Sequence, residues 1–277
     1  MADVTANSTD ERPNALIKPR MGGIIWSMPK VGKTTYACSS PGTKWIINLD
    51  PEGYVSVIEK MDRGEVIVWD YSDLSSNNLI GFMNSDKIEK KIVENVKEGD
   101  TVLFDSVTMM NKHGLMLAIE RNVGGSPKFS PSLEAPGLAA YGARTAYLGD
   151  AMWRVLRATR RVGAHIWFLA HEDTPERNDK GDFLYQSILM SDNALNVASA
   201  SISEIWWMKD TGNNGRNVYI KPAEMHKPMG SRMFRMDEAA FFKLKYDPEK
   251  PDLDQPHSIA SLWKKFRDTG KKLSVPS

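Results

Sequence analysis

Cysteine is almost absent from this chain of 277 residues: Cys38 stands alone, so no disulfide can form within the chain. Histidine is also scarce, with five scattered residues and no zinc-type spacing. No apolar run approaches the roughly 18 residues that a membrane-spanning helix needs. These absences exclude a disulfide-stapled domain, a zinc module and a helical membrane protein, and no membrane partner is expected.

The chain also has no large net charge. Lys and Arg number 36 and Asp and Glu 35, a formal net charge of +1, so any affinity for nucleic acid must come from local patches. Hydrophobic residues make up 41% and charged residues 26%, which excludes wholesale disorder. The polar, acid-containing start is unlike a signal peptide, and a soluble cytoplasmic protein is expected.

Composition divides the chain into three parts. Residues 1–19 are polar, contain two prolines and predict a flexible N-terminal tail. Residues 20–236 alternate short apolar runs with helical patterns and predict a single core. Residues 237–277 predict a C-terminal extension that is acidic over 237–254 and basic over 257–277.

The core has the pattern of an α/β protein. Strand-length apolar runs occur at 22–26, 45–49, 66–69, 101–104 and 165–170. Helical patterns are found at 33–39, within 79–98 and at 143–161, and two late strands at 202–208 and 217–221 flank a strong turn signal at 211–215. A mainly parallel sheet with helices on both faces and a late β-hairpin is therefore expected, with ligands at the carboxyl ends of its strands.

The segment SMPKVGKTT after the first run matches the phosphate-loop pattern G-x-x-x-x-G-K-[ST], with Ser27 in place of the first glycine. Backbone N–H groups of such a loop face phosphates, the Lys33 ammonium neutralises them, and the Thr34 hydroxyl ligates Mg²⁺. A chance GKT at a helix start is the alternative, but the strand–loop–helix context favours ATP with Mg²⁺. The predicted nucleotide-binding residues are Ser27, Met28, Pro29, Lys30, Val31, Gly32, Lys33, Thr34 and Thr35.

Two further carboxylates follow apolar runs. Asp105 closes the fourth run, as in a Walker B motif, and is predicted to hold Mg²⁺ beside Thr34; capping a turn is the alternative. Glu52, in the sequence Asp50-Pro51-Glu52-Gly53 after the second run, is the candidate that orients or deprotonates the attacking water, with Asp50 holding the loop. A solvated turn acid is the alternative for Glu52.

These motifs, together with Leu169-Ala170-His171-Glu172 after the fifth run, resemble the RecA-type P-loop ATPases, particularly the short phage RecA-core proteins of single-strand annealing and recombination. The resemblance spans about residues 22–235. It implies a RecA-like fold and ATP hydrolysis with Glu52, Lys33 and His171 as catalytic residues, His171 sensing the γ-phosphate. For His171, a solvent-facing position at the strand end is the alternative.

The resemblance also assigns contact with single-stranded DNA to two long segments, 122–142 and 171–198. They offer basic side chains for phosphates and aromatic rings that can stack on bases. The candidates are Lys128, Phe129, Arg144, Arg177, Lys180, Phe183 and Tyr185. Because the second segment also contains five acids, a mobile lid or a subunit contact is the alternative.

A homo-oligomer is implied as well, because RecA-type ATPases complete each site with a cation from the neighbouring subunit. The candidates for that cation are Lys221, Lys227 and Arg232. The C-terminal segment 261–272 combines Leu262, Trp263 and Phe266 with basic residues. It would dock on a partner such as a single-strand-binding protein, contact DNA, or pack its aromatic face on the core.

Two functions remain open from the sequence. The first is an ATPase acting on single-stranded DNA in phage-type recombination, annealing or replication, in the host cytoplasm if phage-encoded. The second is a nucleotide-switched loader or assembly factor that acts through a protein partner without touching DNA. A small-molecule kinase is disfavoured because no lid of clustered arginines is evident.

Overall fold

A computed structural model describes residues 19–126, 128–190, 194–195, 201–212, 215–223, 226, 228–247 and 249–276. The predicted tail over 1–19 therefore lies outside the described residues, apart from its last residue. The strands are β1 (Gly22–Ser27), β2 (Lys44–Asn48), β3 (Val66–Asp70), β4 (Thr101–Asp105), β5 (His165–His171), β6 (Glu176–Arg177), β7 (Phe183–Tyr185), β8 (Glu204–Gly212), β9 (Gly215–Tyr219), β10 (Gly230–Ser231) and β11 (Phe241–Lys243).

Within the described residues, nine strands form one sheet in the order β11-β9-β8-β1-β5-β4-β2-β3, with β10 added on β8. The six strands from β8 to β3 run parallel, and β9, β10 and β11 are antiparallel to their neighbours. β6 and β7 form a separate hairpin. The prediction of an α/β fold with a mainly parallel sheet and a late β-hairpin is confirmed. The turn residues 213 and 214 lie outside the described part.

Helices cover both faces of the sheet. They are α1 (Lys33–Ala37), α2 (Ile58–Asp62), α3 (Ser76–Met83), α4 (Asp86–Asn95), α5 (Val107–Glu120), α6 (Gly137–Val162) and α7 (Ile259–Thr269). Successive β1 residues point to opposite faces: Ile24 and Trp26 pack in one apolar cluster with α3 to α6, and Ile25 packs in the other with α1 and α7. β1 is thus buried on both sides, which fixes the phosphate loop that follows it.

Two helix boundaries differ from expectation. The helical pattern within 79–98 is divided between α3 and α4, because the Ser85 hydroxyl accepts a hydrogen bond from the Lys87 N–H at 3.3 Å and begins a new helix. α6 begins at Gly137 rather than Ala143, since Leu138, Ala139 and Ala140 favour helix and Ala140 is buried. The loop predicted over 122–142 is accordingly shorter.

The C-terminal segment packs on the core. β11 adds to the edge of the sheet, and on α7 Leu262 is 2% and Trp263 8% exposed. Of the three readings of the 261–272 segment, packing of its aromatic face on the core is confirmed. No helix in the described part of the chain is long and apolar enough to span a bilayer.

Candidate nucleotide-binding site

The carboxyl ends of three adjacent strands meet at one edge of the sheet. β5 lies between β1 and β4, with Ser27 paired to His171 and Asp105 paired to Leu169. A cavity of about 460 Å³ opens at this edge and is lined by six residues between Pro29 and Thr35 together with residues from β4, β5 and the loop after β2. The fold thus brings together the phosphate loop, Asp105, His171 and Glu52, as the sequence predicts.

Lys33 lies buried under the phosphate loop. Its Nζ donates to the carbonyl oxygens of Ser27 (3.3 Å) and Met28 (3.0 Å) and to the Ser27 hydroxyl (3.1 Å). Burial lowers the pKa of Lys33 to about 8. Nearby carboxylates, Asp105 most strongly, act in the opposite direction and raise it. Lys33 is therefore a mainly charged ammonium at neutral pH, held where the loop can present it to phosphates.

Serine at position 27 costs the loop nothing in backbone strain. Ser27 is the last residue of β1, and the loop residues in the left-handed region are Lys30 (φ 66°) and Gly32 (φ 100°). Glycine is therefore required at Gly32, not at Ser27. The Ser27 hydroxyl instead donates to the Met28 carbonyl at 2.7 Å.

The Thr34 hydroxyl donates to Asp105 Oδ2 at 2.7 Å, so the two predicted Mg²⁺ ligands are in direct contact. Burial raises the pKa of Asp105 to about 6, although the hydrogen bond from Thr34 acts to lower it. Both are oxygen ligands of the kind Mg²⁺ prefers. Among the described residues, no cluster of three or more acidic, histidine or cysteine side chains that could hold a metal ion is found.

Residues 20–223, which include the phosphate loop, Asp105 and His171, match the AAA domain family. The chain belongs to this family. AAA domains are P-loop ATPase-type domains, so membership supports nucleotide hydrolysis, whereas the finer resemblance to phage RecA-core proteins remains a prediction. No curated protein matches the chain.

The acidic loop after β2 lies at the rim of the AAA domain's cavity. Asp50 Oδ1 accepts a hydrogen bond from the Glu52 N–H at 3.3 Å, and Asn48 Nδ2 donates to the Asp50 carbonyl at 2.8 Å. A Cβ on Gly53 would lie 2.6 Å from Asn48 Oδ1, so any larger residue there would displace the Asn48 side chain that binds the Asp50 carbonyl. The loop is thereby held with the Glu52 side chain exposed along the cavity.

His171 lies half-buried at the end of β5, with its backbone N–H donating to Thr108 Oγ1 at 2.9 Å. Burial, reinforced by the charge of Lys33, lowers the pKa of His171 to about 4. The imidazole is therefore neutral at neutral pH, and it lines the cavity rather than facing open solvent. A neutral ring can donate one hydrogen bond and accept another.

The candidate DNA-binding residues lie outside the cavity lining. Lys128 and Phe129 are exposed before α6, whereas Arg144 is on α6 itself, with its guanidinium 4.8 Å from the centre of the Tyr141 ring. In the β6–β7 hairpin, Arg177 donates to the Gly181 carbonyl at 2.7 Å. The other hairpin candidates are the exposed Lys180 and the half-buried Phe183 and Tyr185.

Lys221 and Arg232 are the two described candidates for the cation that acts in a neighbouring subunit, and neither lines the cavity of its own AAA domain. Lys221 donates to the carbonyls of Met236 (3.1 Å) and Glu238. Arg232 lies beside Glu204, at the amino end of β8 and therefore at the opposite edge of the sheet. Lys227 lies outside the described residues. A role in a neighbouring subunit's site stays a prediction.

Two residues at the site escaped the sequence analysis. Arg216 on β9 lines the cavity and donates from Nε to the Val31 carbonyl at 2.5 Å. Glu172, quoted only as part of a motif, accepts a hydrogen bond from the Met28 N–H of the phosphate loop at 3.0 Å. No sequence signal reveals either contact, because both depend on how distant segments fold over the loop.

Proposed function

We propose that this AAA domain binds ATP with Mg²⁺ in the cavity, hydrolyses it, and couples hydrolysis to the binding of single-stranded DNA in phage-type recombination, annealing or replication. The observation that carries the proposal is the Thr34–Asp105 contact, with buried Lys33 beside it and Glu52 along the same cavity. This set contains a cation for phosphates, oxygen ligands for a divalent ion, and a carboxylate for water.

Each residue has a distinct task. Thr34 and Asp105 would hold Mg²⁺, which neutralises phosphate charge when bound. Lys33 binds the phosphate oxygens in exchange for its present contacts with Ser27 and Met28. Glu52 accepts a proton from the attacking water, or orients it, since its carboxylate is accessible along the cavity. His171, with a neutral ring at the end of β5, would sense the γ-phosphate by a hydrogen bond.

DNA is proposed as the partner from the placement of the two candidate segments. Phe129 is 39% exposed and can stack on a base, and Lys180 is exposed at the tip of the β6–β7 hairpin. This hairpin is tied to the phosphate loop, because Glu172 contacts both Met28 and Gln186, just after β7. Nucleotide binding can thus be communicated to a surface that binds a strand.

A protein-partner switch is the second candidate, and one observation favours it. The tip of the β6–β7 hairpin carries Asp179 and Asp182 beside Lys180, while the Arg177 guanidinium is bound to the Gly181 carbonyl. This tip is not a simple basic surface. Acids at a DNA-contacting tip would repel phosphates, whereas a protein partner can match mixed charge.

The deciding experiment measures the ATP hydrolysis rate with and without single-stranded DNA at low salt, using Lys33→Ala as the blank. Stimulation by DNA that is lost in the blank and falls with added salt supports the first function. A Lys33-dependent rate that DNA leaves unchanged supports the protein-partner switch. Turnover that survives in Lys33→Ala would contradict hydrolysis at this cavity.

Paired variants locate the DNA surface. The double variant Lys128→Ala/Lys180→Ala is expected to weaken binding of a labelled oligonucleotide. The control Lys87→Ala/Lys97→Ala changes two exposed lysines at or just after α4 and keeps the net charge equal to that of the test variant. Equal losses in both variants would indicate an unspecific charge effect and contradict the proposed surface.

We also propose that the domain works as a homo-oligomer in which Lys221, Lys227 or Arg232 of one subunit reaches the site of the next. Mixing the Lys33→Ala protein with an Arg232→Ala protein tests this arrangement. A subunit with an intact cavity can recover turnover only if its neighbour supplies the cation, so activity of the mixture above the sum of its parts is expected. Strict additivity would exclude Arg232 as that cation, and additivity also in the same mixtures made with Lys221→Ala and with Lys227→Ala would contradict the arrangement.

A further inference from the structure

The β8–β9 hairpin extends past the carboxyl edge of the sheet and reaches the phosphate loop. β8 pairs with β1 only as far as Trp207, opposite Trp26, whereas β8 itself continues to Gly212. Arg216 on the returning strand pairs with Asp210, beyond the end of β1. The fold therefore places an arginine of a distant segment above the loop that follows β1.

The Arg216 guanidinium packs directly on the phosphate loop. Nε donates to the Val31 carbonyl at 2.5 Å. The neighbouring Gly32 offers no side chain, and a Cβ placed there would lie 3.4 Å from Nε and 3.8 Å from Nη2. Arg216 is only partly buried and lines the same cavity as Lys33 and Thr34. One edge of the guanidinium is thus bound to the loop, and its position leaves the remaining donors beside the cavity.

The carboxylates of the cavity lining indicate why a further cation is needed beside the phosphate loop. The lining contains three carboxylates, of Asp50, Glu52 and Asp105, against two lysines, Lys30 and Lys33. A polyphosphate entering such a site needs further cationic donors. An arginine fork suits this task because one edge can stay on a carbonyl while another binds a phosphate oxygen.

We propose that Arg216 is a phosphate-binding residue supplied by the chain to its own nucleotide site. Its Nε positions the phosphate loop through Val31, and its remaining nitrogens bind phosphate oxygens of the nucleotide. The inference rests on the proposed function, since it requires nucleotide in the cavity. It differs from the trans cations, because Arg216 acts within one subunit.

Equilibrium binding of a fluorescent ATP analogue with Mg²⁺ tests the inference, alongside the thermal unfolding midpoint measured without nucleotide. Arg216→Gln retains a donor for Val31 but removes the charge, and we expect the Kd for ATP to rise about tenfold or more. Arg216→Lys retains the charge but loses the fork, and an intermediate Kd is expected. The matched control is Arg161→Gln, an exposed arginine in the last turn of α6.

The outcomes separate this inference from the proposed function. If Arg216→Gln binds ATP within about twofold of Arg161→Gln, the phosphate contact is overturned. Equal losses in Arg216→Gln and Arg216→Lys would also overturn it, because the retained charge would then have no effect. Binding that survives in Lys33→Ala would instead overturn the nucleotide site itself. Should Arg216→Gln fail to fold, Arg216→Lys against Arg161→Lys gives the same comparison.

Discussion

Glu172 Oε1 accepts a hydrogen bond from the Met28 N–H at 3.0 Å, which ties the segment after β5 to the phosphate loop. The same oxygen accepts from Trp207 Nε1 at 2.6 Å, and Oε2 accepts from Gln186 Nε2 at 2.8 Å. One carboxylate therefore connects the loop, β8 and the residue that follows the β6–β7 hairpin. A shift of the loop on nucleotide binding must break or move these contacts, which provides a route from the cavity to the hairpin.

Glu172→Gln is expected to uncouple the hairpin from the cavity. The amide keeps the shape of the carboxylate but places an NH₂ group against one of the donors and loses the charge that strengthens the hydrogen bonds. In the native protein, ATP should change amide hydrogen exchange across residues 176–185, and in Glu172→Gln this response should be lost while ATP still binds. The same exchange response in both proteins would contradict the coupling.

Glu52→Gln is expected to bind ATP normally and to lower the turnover rate by about 100-fold or more, because general base catalysis contributes roughly that much. The measurement is single-turnover hydrolysis together with the Kd for ATP. Glu59→Gln on α2 is the matched control, since Glu59 is exposed and does not line the cavity. An unchanged rate in Glu52→Gln would remove Glu52 from the mechanism.

Glu204 makes the stability of the fold depend on pH. Burial raises its pKa from 4.5 to about 7, although Ser231, Trp206 and two backbone N–H groups donate to its carboxylate. The folded chain then holds a proton that the unfolded chain releases. This contribution is complete below about pH 4.5 and is lost as the pH rises through 7, at up to roughly 1.4 kcal/mol per pH unit.

Urea unfolding from pH 5 to pH 8 checks this dependence. The free energy of unfolding of the native protein, minus that of Glu204→Gln, should fall as the pH rises. The subtraction cancels His165, whose pKa burial lowers to about 4 and which destabilises the fold as the pH falls below about 6.5. A difference that does not vary with pH would show that Glu204 is ionised in the folded protein throughout.

Asp252 fastens the C-terminal segment to the core. It lies 2.9 Å from Lys60 Nζ and 3.3 Å from Lys44 Nζ, with all three side chains largely buried. Asp252→Asn leaves two lysine ammonium groups without their counter-charge and is expected to lower the free energy of unfolding by about 3 kcal/mol. The exposed Asp254→Asn is the control in the same urea measurement, and equal losses in the two variants would show that Asp252 has no special role.

The sequence predicted the features that are local to a strand end. The phosphate loop from Ser27 to Thr35, Asp105 and the acidic turn containing Glu52 each follow an apolar run, and parallel strands bring such ends to one edge. The late hairpin was equally predictable from its turn residues. Helix boundaries were less predictable, because Pro136 and Gly137 are typical of loops, whereas α6 begins at Gly137 and buries Ala140 against the core.

Contacts between distant segments depend on the tertiary structure alone. Arg216 is 185 positions from Val31, and Glu172 is 144 positions from Met28, so neither pairing leaves a pattern in the chain. The amphipathic pattern around Trp263 likewise does not show whether this ring packs on the core or binds a partner, because both roles produce the same pattern. The sequence determines which chemical groups are present and at which strand ends they lie, because motif and periodicity are local. The packing of the β8–β9 hairpin and of α7 decides which of those groups come into contact. This packing depends on many weak contacts between residues that are far apart in the sequence, so no local pattern reveals it.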